Sequence, residues 1–177
     1  DGTKITTRVE PDTTKNIELG IKLSAVDNRL TINTAIFRTY WDNLPVNIND
    51  INGCGRRVIN NIGAAESQGV EIDVNYIIDD WAMSLGASYI DTKRVGVHEP
   101  LKEGEPLTYA PRTNANLGLQ RNFTIDGIAT FIRADISYVG KYESAPVWIG
   151  FDSAGDYVNV NLRSGLNIEH WNFAIYA

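Results

Sequence analysis

The chain has 177 residues, 43% hydrophobic and 21% charged, a balance that fits one folded unit with ample apolar surface and excludes a disordered polar segment. Its net charge of −6, with 16 basic residues scattered among 22 acidic ones, excludes a nucleic-acid binder, because neutralising phosphates requires clustered Lys and Arg. No apolar run approaches the ~18 residues of a transmembrane helix, which leaves open a membrane barrel, whose strands need only about 9–11 residues each.

The chain opens at Asp1 without Met or a signal peptide and stops at "WNFAIYA" inside a strand pattern, so a piece of a longer protein is expected. Ile17, Leu19, Ile21 and Leu23 alternate with Asn16, Glu18, Gly20 and Lys22, which predicts the first strand. Residues 30–43 predict a second strand whose register stays open, since both faces are partly apolar. Cys54, alone in the loop "NGCGRR", excludes an internal disulfide framework and a multi-cysteine metal site. A strand segment from about 57 to 77 sets Val70, Ile72, Val74, Tyr76 and Ile78 against Glu71, Asp73 and Asn75. Further strands follow over 81–91, 113–121 and 128–141, and then around 158–168 and from about Asn172.

No segment carries a sustained 3.6-residue apolar stripe, so the expected fold is all-β and antiparallel with about eight strands. The connections alternate in length: "VDNR" (26–29), "IDD" (78–80), "NFTID" (122–126) and "EHWN" (169–172) are short, whereas 43–56, 93–107 and 143–155 are long. Outer-membrane barrels show this alternation of short periplasmic turns and long extracellular loops. Tyr76, Trp81, Tyr89, Tyr138 and Trp171 are the candidate membrane-interface girdle. Trp81 and Tyr89 lie eight residues apart on one face, about 26 Å along the strand, or roughly 20 Å along the membrane normal after tilting, near the ~25 Å of an apolar band. Glu18, Lys22, Glu71, Asp73, Arg133, Asp135, Lys141 and Arg163 would share the opposite face, which in a closed barrel is a wet or plugged lumen. A soluble all-β carbohydrate- or ligand-binding module with a solvated outer face shares this pattern and is the alternative.

Six segments carry a resemblance across nearly the whole chain: "TTKNIELGIK" (13–22), "NIGAAESQGVEIDVNY" (61–76), "LGASYIDTK" (85–93), "YAPRTNANLGL" (109–119), "RADISYVGK" (133–141) and "YVNVNLRSGL" (157–166). In order and spacing they resemble the carboxy-terminal barrel segment of TonB-dependent outer-membrane receptors. The resemblance implies an up-and-down transmembrane β-barrel of 22 strands, of which this chain is about a third. It also implies an amino-terminal plug domain outside these residues, coupling to the TonB-ExbB-ExbD complex, contact with outer-membrane lipid, and import of a scarce nutrient, most readily a ferric siderophore. Gly69 and Glu71 match the family's "QGVE" motif and are expected to serve the wall, the glycine by close backbone approach and the glutamate by facing the plug.

Ligand-binding candidates come from the long connections: Arg56, Arg57, His98 with Lys102, and Tyr142 with Trp148. Arginine would neutralise anionic ligand groups and aromatics would stack on flat ones. A catalytic site is not expected. His98 and His170 are the two histidines that could act as a base; His170 lies in a short turn, and His98 has no nucleophile partner in the sequence. No metal site and no cofactor are expected either.

Overall fold

Long runs of alternating apolar and polar residues, rich in Ile, Val, Leu, Tyr and Thr, favour extended chain in which each strand shows one face of each kind. The computed structural model describes residues 9–49, 57–61, 63–97, 102–144 and 153–177. Its strands are β1 (Thr13–Ala25), β2 (Leu30–Asp42), β3 (Pro45–Asn49), β4 (Arg57–Asn61), β5 (Ala64–Ile78), β6 (Trp81–Val95), β7 (Thr113–Ile125), β8 (Ile128–Val139), β9 (Tyr142–Glu143), β10 (Ser153–Ala154), β11 (Tyr157–Ile168) and β12 (Trp171–Tyr176). One eight-stranded antiparallel sheet runs in the order β1-β2-β5-β6-β7-β8-β11-β12, and β3-β4 and β9-β10 form separate two-stranded ribbons. Every long connection leaves the same end of this meander and every tight turn closes the other.

Several boundaries differ from the sequence expectation. The segment expected over about 57–77 is two strands, since residues up to Asn61 pair with β3 inside the long loop and the sheet strand begins at Ala64. Strand β7 continues through "NFTI" to Ile125, so the turn after it is only Asp126–Gly127, both with positive φ (49° and 81°). That geometry is the two-residue turn that Asp-Gly favours, and it matches the twist of the flanking strands. Likewise Trp171 and Asn172 pair within β12 rather than forming the turn, which is Glu169–His170. In the last two cases cross-strand hydrogen bonds extended a strand through residues that composition alone had marked as turn.

Register resolves the strand whose faces were ambiguous. Ile36 pairs with Leu19 and Val70, and Ile32 with Leu23 and Val74, so Ile32, Thr34 and Ile36 join the apolar face while Asn33 and Phe37 join the polar one. The apolar row continues from Val74 to Leu85, Leu117, Ile136 and Val160. On β1 the apolar run spans Ile17–Leu23, whereas on β11 it spans Val158–Ile168, about six residues further along in register. With about 3.3 Å per residue and about 4.8 Å per strand, that drift corresponds to strands tilted by roughly 35° to a level band.

Among the described residues this apolar face has no second layer. Among the described residues Leu44 and Ala65 are the buried hydrophobics, while Leu19 is 68% exposed, Ile21 68%, Val160 54% and Ile175 75%. A soluble sandwich would cover those side chains with a second sheet, so this arrangement argues against the alternative reading. Hydroxyls that stand on the apolar face are satisfied internally: Thr34 Oγ1 donates to Glu71 O (2.9 Å), Thr130 Oγ1 to Ile128 O (3.2 Å) and Ser164 Oγ to Phe131 O (3.0 Å). Polar groups with no access to water require such partners.

On the polar face two glycines lie beneath aromatic rings. A Cβ on Gly69 would come within 2.5 Å of Tyr89 O and 2.9 Å of the Phe37 ring, and a Cβ on Gly165 within 2.6 Å of the Phe131 ring and 2.7 Å of Phe173 O. Each ring lies directly across a strand from its glycine and covers the backbone that the missing side chain leaves open. Gly69→Ala in the whole protein is expected to lower stability by about 1–3 kcal/mol, through forced backbone displacement. Gly155→Ala, with nothing within 4 Å, should be neutral, and thermal unfolding in detergent compares the two.

Candidate functional site

At the end of the sheet that carries the long connections, the chain between β6 and β7 folds back against the polar face. Thr92 and Arg94 belong to that face by register, pairing with Ser67 and Ala65. Arg94 N donates to Glu105 O (2.8 Å) and Gly104 N returns a bond to Arg94 O (2.9 Å), with Gly104 at φ +81° making the turn. The Arg94 guanidinium reaches the Glu105 carboxylate at 3.3 Å, and both side chains are nearly covered (5% and 13% exposed). Burial pulls the Arg94 guanidinium below the ordinary arginine range, and Glu105 opposes that shift. Leu107 N then donates to Thr92 Oγ1 (3.1 Å), and Tyr109 N to Glu143 O (2.7 Å). Tyr109, exposed and at φ +59°, faces the Tyr142 ring with centroids 6.3 Å apart and planes at 47°.

Of the ligand candidates drawn from the sequence, Tyr142 is therefore paired at this end of the sheet, and Lys102 is exposed in the turn before Gly104. Arg56, His98 and Trp148 lie outside the described residues, and of Arg57 only the backbone, in β4, is described. Tyr109 was missed. Its partner Tyr142 is 33 residues away, and the hydrogen bond from Tyr109 N to Glu143 O helps to bring the two loops together.

Lower on the polar face, register collects Glu18, Lys22, Glu71 and Asp73 around an open concavity of about 260 Å³, together with Asn33. On the far strands the charges are mostly arginine. Arg133 and Arg163 stand directly opposite each other, a like-charge pairing that costs stability unless it is relieved. Relief comes from Asp135, which accepts from Arg133 Nε at 2.8 Å and Nη2 at 2.6 Å, and from Phe131, whose ring lies 5.2 Å from the Arg163 guanidinium. Gly118 leaves room for the pair, because a Cβ there would sit 2.5 Å from Arg133 Nη2. The wall is thus acid-rich at one side and arginine-rich at the other.

On the apolar face Tyr76, Trp81, Tyr89, Tyr138 and Trp171 all point the same way by register. Arg121 sits over the Trp81 ring (5.5 Å), and Trp171 stacks on Phe173 (6.4 Å, 25°). Above Ile17, Ile36, Val70 and Tyr89 the same face turns abruptly polar, with Lys15, Arg38, Gln68 and Asp91 next in line and Tyr40, Glu66 and Lys93 beyond. Glu66 Oε2 accepts from Arg38 Nη2 (3.0 Å) and lies 3.1 Å from Lys93 Nζ, and Arg112 Nη2 lies 3.4 Å from Asp91 Oδ1. The hydrogen bond from Lys93, set against desolvation and joined by the one from Arg38, holds the Glu66 carboxyl below its ordinary value. A depressed carboxyl stabilises above its unfolded value, so the triad is intact at neutral pH and comes apart as pH falls through the carboxylate range. This collar was not foreseen, because its central residue, Arg38, lies in the strand whose register the sequence left open.

A family model described as "TonB dependent receptor-like, beta-barrel" matches residues 2–177. The chain belongs to this receptor β-barrel family. A probable TonB-dependent siderophore receptor, PiuA of Acinetobacter baumannii, is 25% identical over 92% of the chain and 23% of its own length. The ferric yersiniabactin uptake receptor FyuA of Yersinia pestis superposes with TM-score 0.75 at 20% identity, over 93% of this chain and 24% of that one. The ferric-catecholate import receptor Fiu of E. coli K12 gives TM-score 0.71 at 22% identity, over 99% and 24%. This receptor segment thus spans about a quarter of the length of the relatives it matches, and its antiparallel meander is that of the outer-membrane barrels in this family.

In the receptor, Glu105→Gln should leave a buried, uncompensated guanidinium and release residues 102–111 from the sheet, since breaking one side of such a pair costs more than removing both. Limited proteolysis of those residues should accelerate in Glu105→Gln and slow again when Arg94→Met is added.

Proposed function

We propose that the chain is an arc of the wall of an outer-membrane receptor that imports a ferric siderophore in a TonB-dependent manner. The observation that carries this reading is the uncovered apolar face, which suits lipid as its only covering, set against a charged face suited to a water-filled lumen. The roughly 35° tilt falls within the ~35–45° of membrane barrels. Tyr76, Trp81 and Trp171 would border the periplasmic side of the band, and Tyr89 and Tyr138 the outer side. Siderophore is the favoured substrate class because the relatives named above are described as siderophore or ferric-ligand receptors.

In this reading the mouth captures ligand and the lumen wall seats the receptor's own plug domain. Tyr109 and Tyr142 offer an aromatic surface to a flat chelating group, and Lys102 lies nearby in the same connection as a counter-charge. Arg56, Arg57, His98 and Trp148 are proposed to complete the rim from the long connections. Glu18, Lys22, Glu71, Asp73, Arg133, Asp135 and Arg163 are proposed to face the plug. Energy would come from the TonB-ExbB-ExbD complex acting on the plug side of the whole protein. The family is one of receptors and transporters, and we assign the wall no catalytic step.

Uptake of iron-55 presented as purified ferric siderophores, in iron-starved cells expressing the whole receptor, tests the function. Saturable uptake lost on inactivating TonB supports it, and uptake of none of a hydroxamate, catecholate and mixed-ligand panel would sink it. Tyr109→Ala with Tyr142→Ala should weaken ligand binding by about 2–10-fold for each aromatic removed. Glu71→Ala should lower receptor stability or plug seating while leaving ligand preference unchanged, which unfolding and competition assays read separately.

A further inference from the structure

We propose that Arg94 is a covered binding site for a carboxylate of the imported chelate, and that Glu105 occupies it as a built-in stand-in until such a ligand displaces it. The inference deepens the ligand-capturing role proposed for this mouth and rests on that reading for the source of the carboxylate. Arg94 is the last residue of β6 on the polar face, in register with Ala65, Trp41 and Thr14. Its side chain is 5% exposed and makes a single contact with Glu105, from Nη1 to Oε2 at 3.3 Å. A guanidinium and a carboxylate pair best through two parallel bonds of about 2.7–2.9 Å. Arg94 Nε is buried and has no hydrogen-bond partner among the described residues. The chain's own atoms cover it, so neither the plug nor a ligand reaches Nε while that cover is in place. Glu105 thus fills the position of a carboxylate ligand without making such a ligand's full set of bonds.

The cover is the 102–112 strap, and few contacts hold it down. Glu105, Leu107 and Tyr109, at every second residue, bond to Arg94, to Thr92 Oγ1 and to Glu143 O, and Val97 N adds a long contact to Glu103 (3.4 Å). None of residues 102–112 is fully buried, so lifting them exposes little apolar surface to water. A free carboxylate that bonds Nε and one Nη together satisfies the donor that Glu105 leaves unmet, and an unmet buried donor is costly. That difference favours a two-pronged ligand over the tethered glutamate. Thr92 Oγ1, released from the Leu107 amide, supplies a second donor two residues away on the same face. Tyr109 leaves Glu143 with the strap, so the aromatic surface and the cation are uncovered in one movement.

The whole receptor, purified in non-ionic detergent, would be titrated with tricarballylate, an iron-free tricarboxylate, against sodium chloride of matched ionic strength. Hydrogen exchange over residues 102–112 reads the strap, and calorimetry reads affinity. Because the probe carries no iron and needs no energy source, failure here is distinct from failure of siderophore uptake. In wild type the tricarboxylate should speed exchange at the Gly104, Leu107 and Tyr109 amides, and chloride should not. Glu105→Gln removes the tethered competitor and should bind the probe about tenfold more tightly. Adding Arg94→Lys, which keeps a cation but loses the planar fork, should weaken that binding about tenfold. Heat-modifiable migration confirms that each variant is folded. If Glu105 were only an anchor, Glu105→Gln would loosen the strap with no gain in affinity, and that result would overturn the proposal. So would equal binding by the Arg94→Lys, Glu105→Gln double variant, or equal opening of the strap by chloride.

Discussion

A peptide backbone in hydrocarbon has no water to hydrogen-bond, and the strand ladder of a closed β-barrel is one of two ways to satisfy its donors and acceptors without it. The other features of this wall follow from that constraint. Strands of 12 to 15 residues over most of the sheet are long enough to cross an apolar band at a tilt with several residues to spare. Because lipid supplies the covering layer, the sheet needs no packed core, and the described residues contain almost none. Side-chain hydroxyls obey the same rule as the backbone, which is why Thr34, Thr130 and Ser164 on the apolar face donate to carbonyls.

The polar face answers a different demand. Charges there can remain because they are wet or paired, and the sheet gives them space by placing glycine beneath them. Gly118 lets the Arg133–Asp135 pair lie flat, and Gly69 and Gly165 accept the rings of Phe37 and Phe131. A wall made this way presents a shallow, chemically varied surface, acid-rich toward β1 and arginine-rich toward β11.

At the mouth, a small set of polar contacts gives irregular chain a defined position. The Arg94–Glu105 pair, the Leu107 amide on Thr92 and the Tyr109 amide on Glu143 connect the 102–112 segment to two different elements. Regular strands below them are rigid, so these few contacts translate into a fixed placement of Tyr109 and Tyr142. Long loops built on such a scaffold can vary in sequence while the wall does not change.

Much of this was legible in the residues themselves. Alternation along 69–78 separates Val70, Ile72 and Val74 from Glu71 and Asp73 whatever the fold, because a strand's side-chain period is two. The shared face of Tyr76, Trp81, Tyr89, Tyr138 and Trp171 and the facing of Glu18, Lys22 and Arg163 follow from the same periodicity. It could not say which side of 30–42 faced lipid, since both sides carry apolar residues. Only pairing with β1 and β5 put Ile36 outward and Phe37 over Gly69. Nor could it join Tyr109 to Tyr142 or gather Lys15, Arg38, Glu66 and Lys93 into one collar, because those groups come from separate strands and loops. The sequence by itself determined which residues share a face within each strand, a local matter of backbone geometry. The tertiary structure decided which strands and loops are neighbours, because cross-strand register and loop anchoring depend on hydrogen bonds between residues far apart in the chain.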